Sequence, residues 1–155
     1  MMRRWFRAGL LLHATGLSVL GYRLYDAATD DSERALDQYG CPTGDPLQGV
    51  YAELRLTVLR RCVTATGVVR DVHRAEDGDA VWNLELDAGQ EWLVNEVNDA
   101  KFGGRLHVEV VPMDQNRVPI PRDGERATVT GVWVLDHSHG GHLEIHPAVA
   151  ITIGD

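Results

Sequence analysis

Apolar and polar residues alternate along much of the C-terminal two thirds of this chain. Val81–Leu86 (VWNLEL) and Arg105–Val111 (RLHVEVV) keep the period of two that marks a half-buried β-strand. Ala127–Leu135 and Leu143–Ile153 read as two more strands. Val63, Val68, Val69 and Val72 are β-branched positions around Gly67, a residue that suits a bulge or sharp bend. Glu91–Val97 reads as a further strand, while Tyr51–Leu59 has a mixed pattern that fits helix or strand. Turn chemistry separates these runs. Asp77-Gly78-Asp79 is a turn, Asn98–Gly104 a loop or single helical turn, and Pro112–Gly124 a loop with three prolines. Cys41–Gly49 is turn-rich, and the polar Asp26–Gly40 reads as a linker or short helix beginning near Asp31-Ser32.

Five to six short strands, a glycine-bent first strand and a long middle connection predict a mainly β protein. The best match is a small OB-fold-like β-barrel preceded by an N-terminal apolar helix. A β-sandwich is the alternative. At 155 residues there is room for one domain with a real core. The expected organisation is a signal or membrane anchor over 1–25, a linker over 26–50 and the barrel over 51–155.

The last two strands bracket the densest chemistry. Val129–Pro147 carries Asp136, His137, His139, His142, Glu144 and His146, so four of the seven histidines fall within ten residues. On a strand, residues two apart share a face. Glu144 and His146 therefore point the same way, with His142 if the strand starts that early. Asp136 and His139 lie across the loop. Carboxylate and imidazole together suit a divalent transition metal such as zinc, manganese or iron. The candidate ligands are Asp136, His139, Glu144 and His146, although their spacing matches no established metal signature. Asp79 and Asn95 are candidates for further polar contacts, and Trp82 and Trp133 for stacking against a ligand.

Each of these residues also has a purely structural reading. Asp136 suits a turn cap, Glu144 and His146 a mutual hydrogen bond at the barrel end, and tryptophans in alternating strands the core. Ser138 beside His137 and Asp136 superficially offers a hydrolase triad. Neighbours on one tight loop cannot readily form that relay, and the chain has no G-x-S-x-G elbow.

Charge changes the picture at the N-terminus. Arg3, Arg4 and Arg7 precede the apolar run Ala8–Tyr22, the plan of a signal peptide or, if slightly extended, of an anchor with an extracytoplasmic domain. The chain carries −8 overall, and the first 25 residues hold four arginines and no acid. The remainder holds 11 basic residues against 23 acidic ones, a net of −12. So acidic a body argues against nucleic-acid binding and against anionic lipid surfaces. Cys41 and Cys62 are consistent with export, where they can form one disulfide, or they are two unrelated thiols.

From about Leu56 to Ile153 the chain resembles a group of uncharacterised, mostly exported actinobacterial OB-like domains. The resemblance is carried by LTVLRRCVTATGVV (Leu56–Val69), the Asp77-Gly78-Asp79 turn, Leu93-Val94-Asn95, VEVVP (Val108–Pro112) and GVWVLDHSHGGHLEIHP (Gly131–Pro147). The group's motif reads G-x-W-V-x-D, then H-G-W, then E-I-H-P. Here Gly140-Gly141-His142 departs from it: no Trp follows the His-Gly pair, and an extra His is present. The resemblance implies an OB-like fold and an extracytoplasmic setting, and no activity.

The expectation is thus a membrane-tethered or secreted OB-like binding module without catalytic activity, recognising a protein or small ligand. No resident cofactor is expected beyond a divalent metal such as zinc. A metal-dependent hydrolase built on the hairpin is the first alternative, with metal-bound water as attacking group. Nucleic-acid binding rests on fold analogy alone.

Overall fold

The computed structural model describes residues 33–154. The predicted anchor (1–25) and the start of the predicted linker, with its Asp31-Ser32 helix start, lie outside the described residues. Among the described residues no helix is long and apolar enough to cross a membrane.

Five strands form one sheet: β1 (Leu56–Arg74), β2 (Ala80–Leu86), β3 (Leu106–Val110), β4 (Arg126–Asp136) and β5 (His142–Gly154). Antiparallel pairing joins β1 to β2 and β2 to β3, and β3 then runs parallel to β5. β5 pairs antiparallel with β4, which returns to β1 and closes the barrel. The 19-residue β1 serves two partners by bending. Its register slips near Val58–Val63 against β4 and between Arg70 and His73 against β2. Gly67 is required at the bend, because a Cβ there would overlap the carbonyl of Glu85 on β2.

Inward-facing residues fill the barrel: Ala65, Val69, Trp82, Leu84, Leu106, Val108, Val129 and Ile145 are fully buried. Leu93 joins this core from the β2–β3 connection. There the chain corrects the predicted Glu91–Val97 strand. Glu91–Leu93 is a 3₁₀ turn, and Glu96–Phe102 is a short helix, α1. Asn95 starts it by accepting from the Val97 and Asn98 amides, and Gly103 ends it in the left-handed region at φ 63°. Local capping thus overrides an apolar pattern too short to decide between the two states. The buried Asn98 side chain ties α1 to β5, donating to Leu143 O and accepting from Leu143 N, both at 2.8 Å.

The predicted linker is, from Glu33 on, part of the domain. Cys41 and Cys62 are disulfide-bonded, their Cα atoms 5.5 Å apart. The buried Arg34 guanidinium donates to Asp114 Oδ2 at 2.9 Å and to Gln48 O at 2.5 Å. Leu47 and Val50 pack on Leu56, Val132 and Val134, a small second core. No helix forms between residues 33 and 50.

Candidate functional site

Alternation along β3 sends Leu106, Val108 and Val110 into the core and therefore His107 and Glu109 to the opposite face. The parallel register sets His107 beside Glu144 of β5. Two residues on, His146 follows Glu144. Turns and loops cover this face, so Asp79, Asp136, His142, Glu144 and His146 are all buried.

Within this cluster each imidazole meets a carboxylate. His142 Nε2 lies 2.8 Å from Glu144 Oε2, and His146 Nδ1 lies 3.2 Å from Glu144 Oε1. His107 spans Asn83 Oδ1 at 3.0 Å and Glu109 Oε1 at 3.1 Å, and its ring stacks on Phe102 with centroids 4.7 Å apart. Arg55, from the 3₁₀ turn Glu53–Arg55 before β1, bonds Asp136 and stands 3.7 Å from Glu144 and 3.8 Å from Glu109. Asp79, at the end of the β1–β2 turn, places Oδ2 3.2 Å from His146 Nε2. The two atoms are not aligned for a hydrogen bond, and neither has another hydrogen-bond partner.

The charges respond to this packing. Burial opposes ionisation of Glu144, but hydrogen bonds from His142 and His146 outweigh it and bring the carboxyl down to about 2. Glu109 is likewise buried yet held well below the usual carboxylate range by His107 and His146. Burial disfavours the charged His146 ring, but Asp79, Glu109 and Glu144 around it raise it well above an ordinary histidine. Asp79 moves the other way: burial raises it, and nearby His146 offsets only part of that. Four carboxylates (Asp79, Glu109, Asp136, Glu144) thus face one guanidinium and one strongly basic imidazole.

The structure divides the four predicted metal ligands into two groups. Glu144 and His146 belong to the buried cluster. Asp136 instead bonds Arg55, the His139 amide at 3.0 Å and His139 Nδ1 at 2.7 Å, which makes it the anchor of the β4–β5 loop. The His139 side chain is 59% exposed, so it lies at the rim. Among the described residues, two triads have ligand atoms close enough to share an ion: Asp79, Glu109 and His146, and His107, His142 and Glu144. Neither includes Asp136 or His139, which pair with each other at the β4–β5 loop.

Of the predicted ligand contacts, Asp79 alone joins the cluster. Trp82 is fully buried in the barrel, so it offers no stacking face. Asn95 is the helix cap and donates to Gly141 O at 2.8 Å. Trp133 is half-buried, meets Trp92 edge to face and donates to Leu93 O at 3.1 Å, a packing role. Arg55, His107 and Glu109 had no place in the sequence-derived set. The polar face of RLHVEVV displayed the last two, but nothing in the sequence shows that β3 lies against β5.

A cleft of about 800 Å³ opens over the cluster, lined among others by Tyr51, Arg55, Glu76, Asp77, Glu109 and His139. Its carboxylates outnumber its cations, and Arg55 is already engaged by Asp136. Such a wall stabilises positive charge and repels anions. No protein-family model and no curated protein matches the chain at a significant level.

Proposed function

We propose that this chain is an OB-fold-like binding module, membrane-tethered or secreted, that acts without catalysis and recognises cationic ligands at the face formed by β3 and β5. Strand order β1-β2-β3-β5-β4 with a long bent first strand supports the OB-like assignment. The Cys41–Cys62 disulfide and the arginine-led apolar N-terminus support export. The observation that carries the binding reading is the excess of carboxylate beneath and around the cleft. Glu76 and Asp77 are exposed at its wall, and Glu109 reaches from the cleft into the buried cluster.

Calorimetric titration of the full-length protein tests this reading, with spermine as cationic probe and a single-stranded oligonucleotide as anionic contrast. Spermine is expected to bind saturably and more weakly in high salt. Reversing two wall charges, Glu76→Lys with Asp77→Lys, is expected to weaken it by about tenfold, which corresponds to ~1.4 kcal/mol. Oligonucleotide binding at low salt, or spermine binding indifferent to the charge reversals, would sink the reading.

A further inference from the structure

We infer that Asp79, Glu109 and His146 form a binding site for a divalent transition-metal ion. The inference rests on the cation-binding reading above and names the ion and its ligands.

Geometry at His146 carries it. Asp79 Oδ2 and His146 Nε2 are 3.2 Å apart, with Asp79 1% and His146 0% exposed. Buried polar atoms this close normally share a hydrogen bond, since leaving both without one is costly. Here the pair is misaligned for a hydrogen bond and neither atom has another hydrogen-bond partner, so only an ion-pair contact joins them. The separation is the one that two ligands of a common ion adopt. Zinc–nitrogen and zinc–oxygen distances of about 2.0–2.2 Å put neighbouring ligand atoms roughly 3.2–3.6 Å apart at near-tetrahedral angles. Glu109 supplies the third ligand: one of its oxygens lies within 4.8 Å of the other two donors, and because its Oε2 rests 2.9 Å from His146 Nδ1, it reaches an ion at Nε2 by a side-chain rotation toward Asp79.

The surroundings are those of a metal-bound imidazole. Histidine ligands usually give their second ring nitrogen to a carboxylate, which fixes the ring and its tautomer. Glu144 and Glu109 both stand at that nitrogen, Glu144 Oε1 at 3.2 Å and Glu109 Oε2 at 2.9 Å from His146 Nδ1; with Glu109 drawn to the ion, Glu144, held by His142 at 2.8 Å on its other oxygen, keeps the ring in place. Glu109 is steadied in the same way by His107 at 3.1 Å. The double charge of the ion also offsets the surplus of buried carboxylate. Glu109 lines the 800 Å³ cleft, so the site has an entry path.

One nitrogen and two carboxylates favour zinc over manganese, and both over magnesium, which demands oxygen ligands and retains its water. The second triad (His107, His142 and Glu144) is already satisfied by the hydrogen bonds of these residues to Asn83, Glu109 and one another. Its residues hold Glu109 and Glu144 in place instead.

The test is titration of the untagged, metal-stripped full-length protein with zinc chloride, followed by calorimetry and native mass spectrometry. Manganese and magnesium chloride are run in parallel. One zinc per chain is expected, with affinity in the order zinc, manganese, magnesium and a melting temperature that rises to saturation. Asp79→Asn and His146→Gln are each expected to weaken zinc more than the ~10–100-fold that loss of an orienting group produces. His137→Ala, exposed and bonded to Thr57 outside the cleft, is expected to leave it unchanged. Visible absorption of the cobalt(II) form reports the ligand set on the unmutated protein, which keeps the question answerable if a variant fails to fold. Absence of zinc binding to the wild type overturns the inference. So does zinc that survives Asp79→Asn but is lost in His142→Ala. If zinc fails while spermine still binds through Glu76 and Asp77, the metal site is wrong and the cation-binding module stands. If neither binds, both are wrong.

Discussion

Arg55 shows how much of the site hangs on one side chain. Its guanidinium is 90% buried and bonds Asp136, which is fully buried at the end of β4. Removing the cation leaves that carboxylate with the loop amide and the exposed His139 ring. Breaking a buried ion pair from one side costs about 3–5 kcal/mol, because the remaining charge is uncompensated. Arg55→Met is therefore expected to lower the free energy of unfolding by about 3 kcal/mol or more, read from urea denaturation. Arg55→Lys is expected to fall between, since a point charge cannot replace the guanidinium fork. A loss below ~1 kcal/mol in the Met variant would place the pair with solvent-screened surface bridges instead. At this scale the sequence was half legible. The two-residue period put Glu144 and His146 on one face, and they do hydrogen-bond. Asp136 was read as a ligand or a turn cap, and the cap is what the structure shows. Arg55 was invisible, because a lone arginine in a mixed segment carries no sign of the carboxylate 81 residues away that it meets.

Strands were readable from alternation or β-branched runs, even where, as over most of β2 and the first half of β5, both faces are buried. Strands β2, β3, β4 and β5 fall within one residue of the alternating or β-branched runs that announced them. The reading failed at Glu91–Phe102, where Asn95, Asn98 and Gly103 impose a capped helix on a stretch with apolar spacing typical of a strand. It succeeded at Gly67, and the reason is now a contact. β2 crosses so closely that a methyl group on Gly67 would meet the Glu85 carbonyl and, at 3.1 Å, Leu84. Backbone cannot give way as a side chain can. Gly67→Ala is expected to destabilise by about 1–3 kcal/mol, the usual range for overpacking. Gly44→Ala makes the matched control, because its Cβ would meet nothing within 4 Å and its φ lies outside the left-handed range. The control is expected to be neutral or to stabilise by about 0.4–1 kcal/mol through the unfolded chain. Thermal unfolding of the two variants side by side checks the claim, and equal melting temperatures would show that β2 is free to shift.

Across the whole molecule, the strand count and the acidic body were written in local pattern, while the β3–β5 pairing that closes the sheet was not. The β3–β5 pairing joins residues 37 apart, and it brings His107 and Glu109 beside Glu144 and His146. The same long-range logic turns residues 33–50 from an expected linker into a strap on the barrel. Beside the packing of Leu47 and Val50, two polar or covalent ties hold that strap: the Cys41–Cys62 disulfide, and the Arg34–Asp114 pair with side chains 1% and 2% exposed. A bridge across 21 residues restrains the unfolded chain by about 3 kcal/mol in the chain-entropy model. Replacing both cysteines by alanine is expected to reduce stability by that order, seen as a lower urea midpoint. Arg34→Met strands the Asp114 carboxylate with Arg117 at 3.4 Å and is expected to cost a further few kcal/mol on its own. The combination decides whether the strap is one cooperative unit. If either device alone releases residues 33–50, the other then has little left to hold, and the triple variant loses less than the sum of the separate losses. Strict additivity would mean instead that the ion pair and the disulfide secure independent parts of the strap. Hydrogen exchange separates the two cases. In the cooperative case the amides of Asp37 and Thr43, which bond Cys41 O and Ala35 O, lose protection together in each variant, while the amides of β3 and β5 keep theirs.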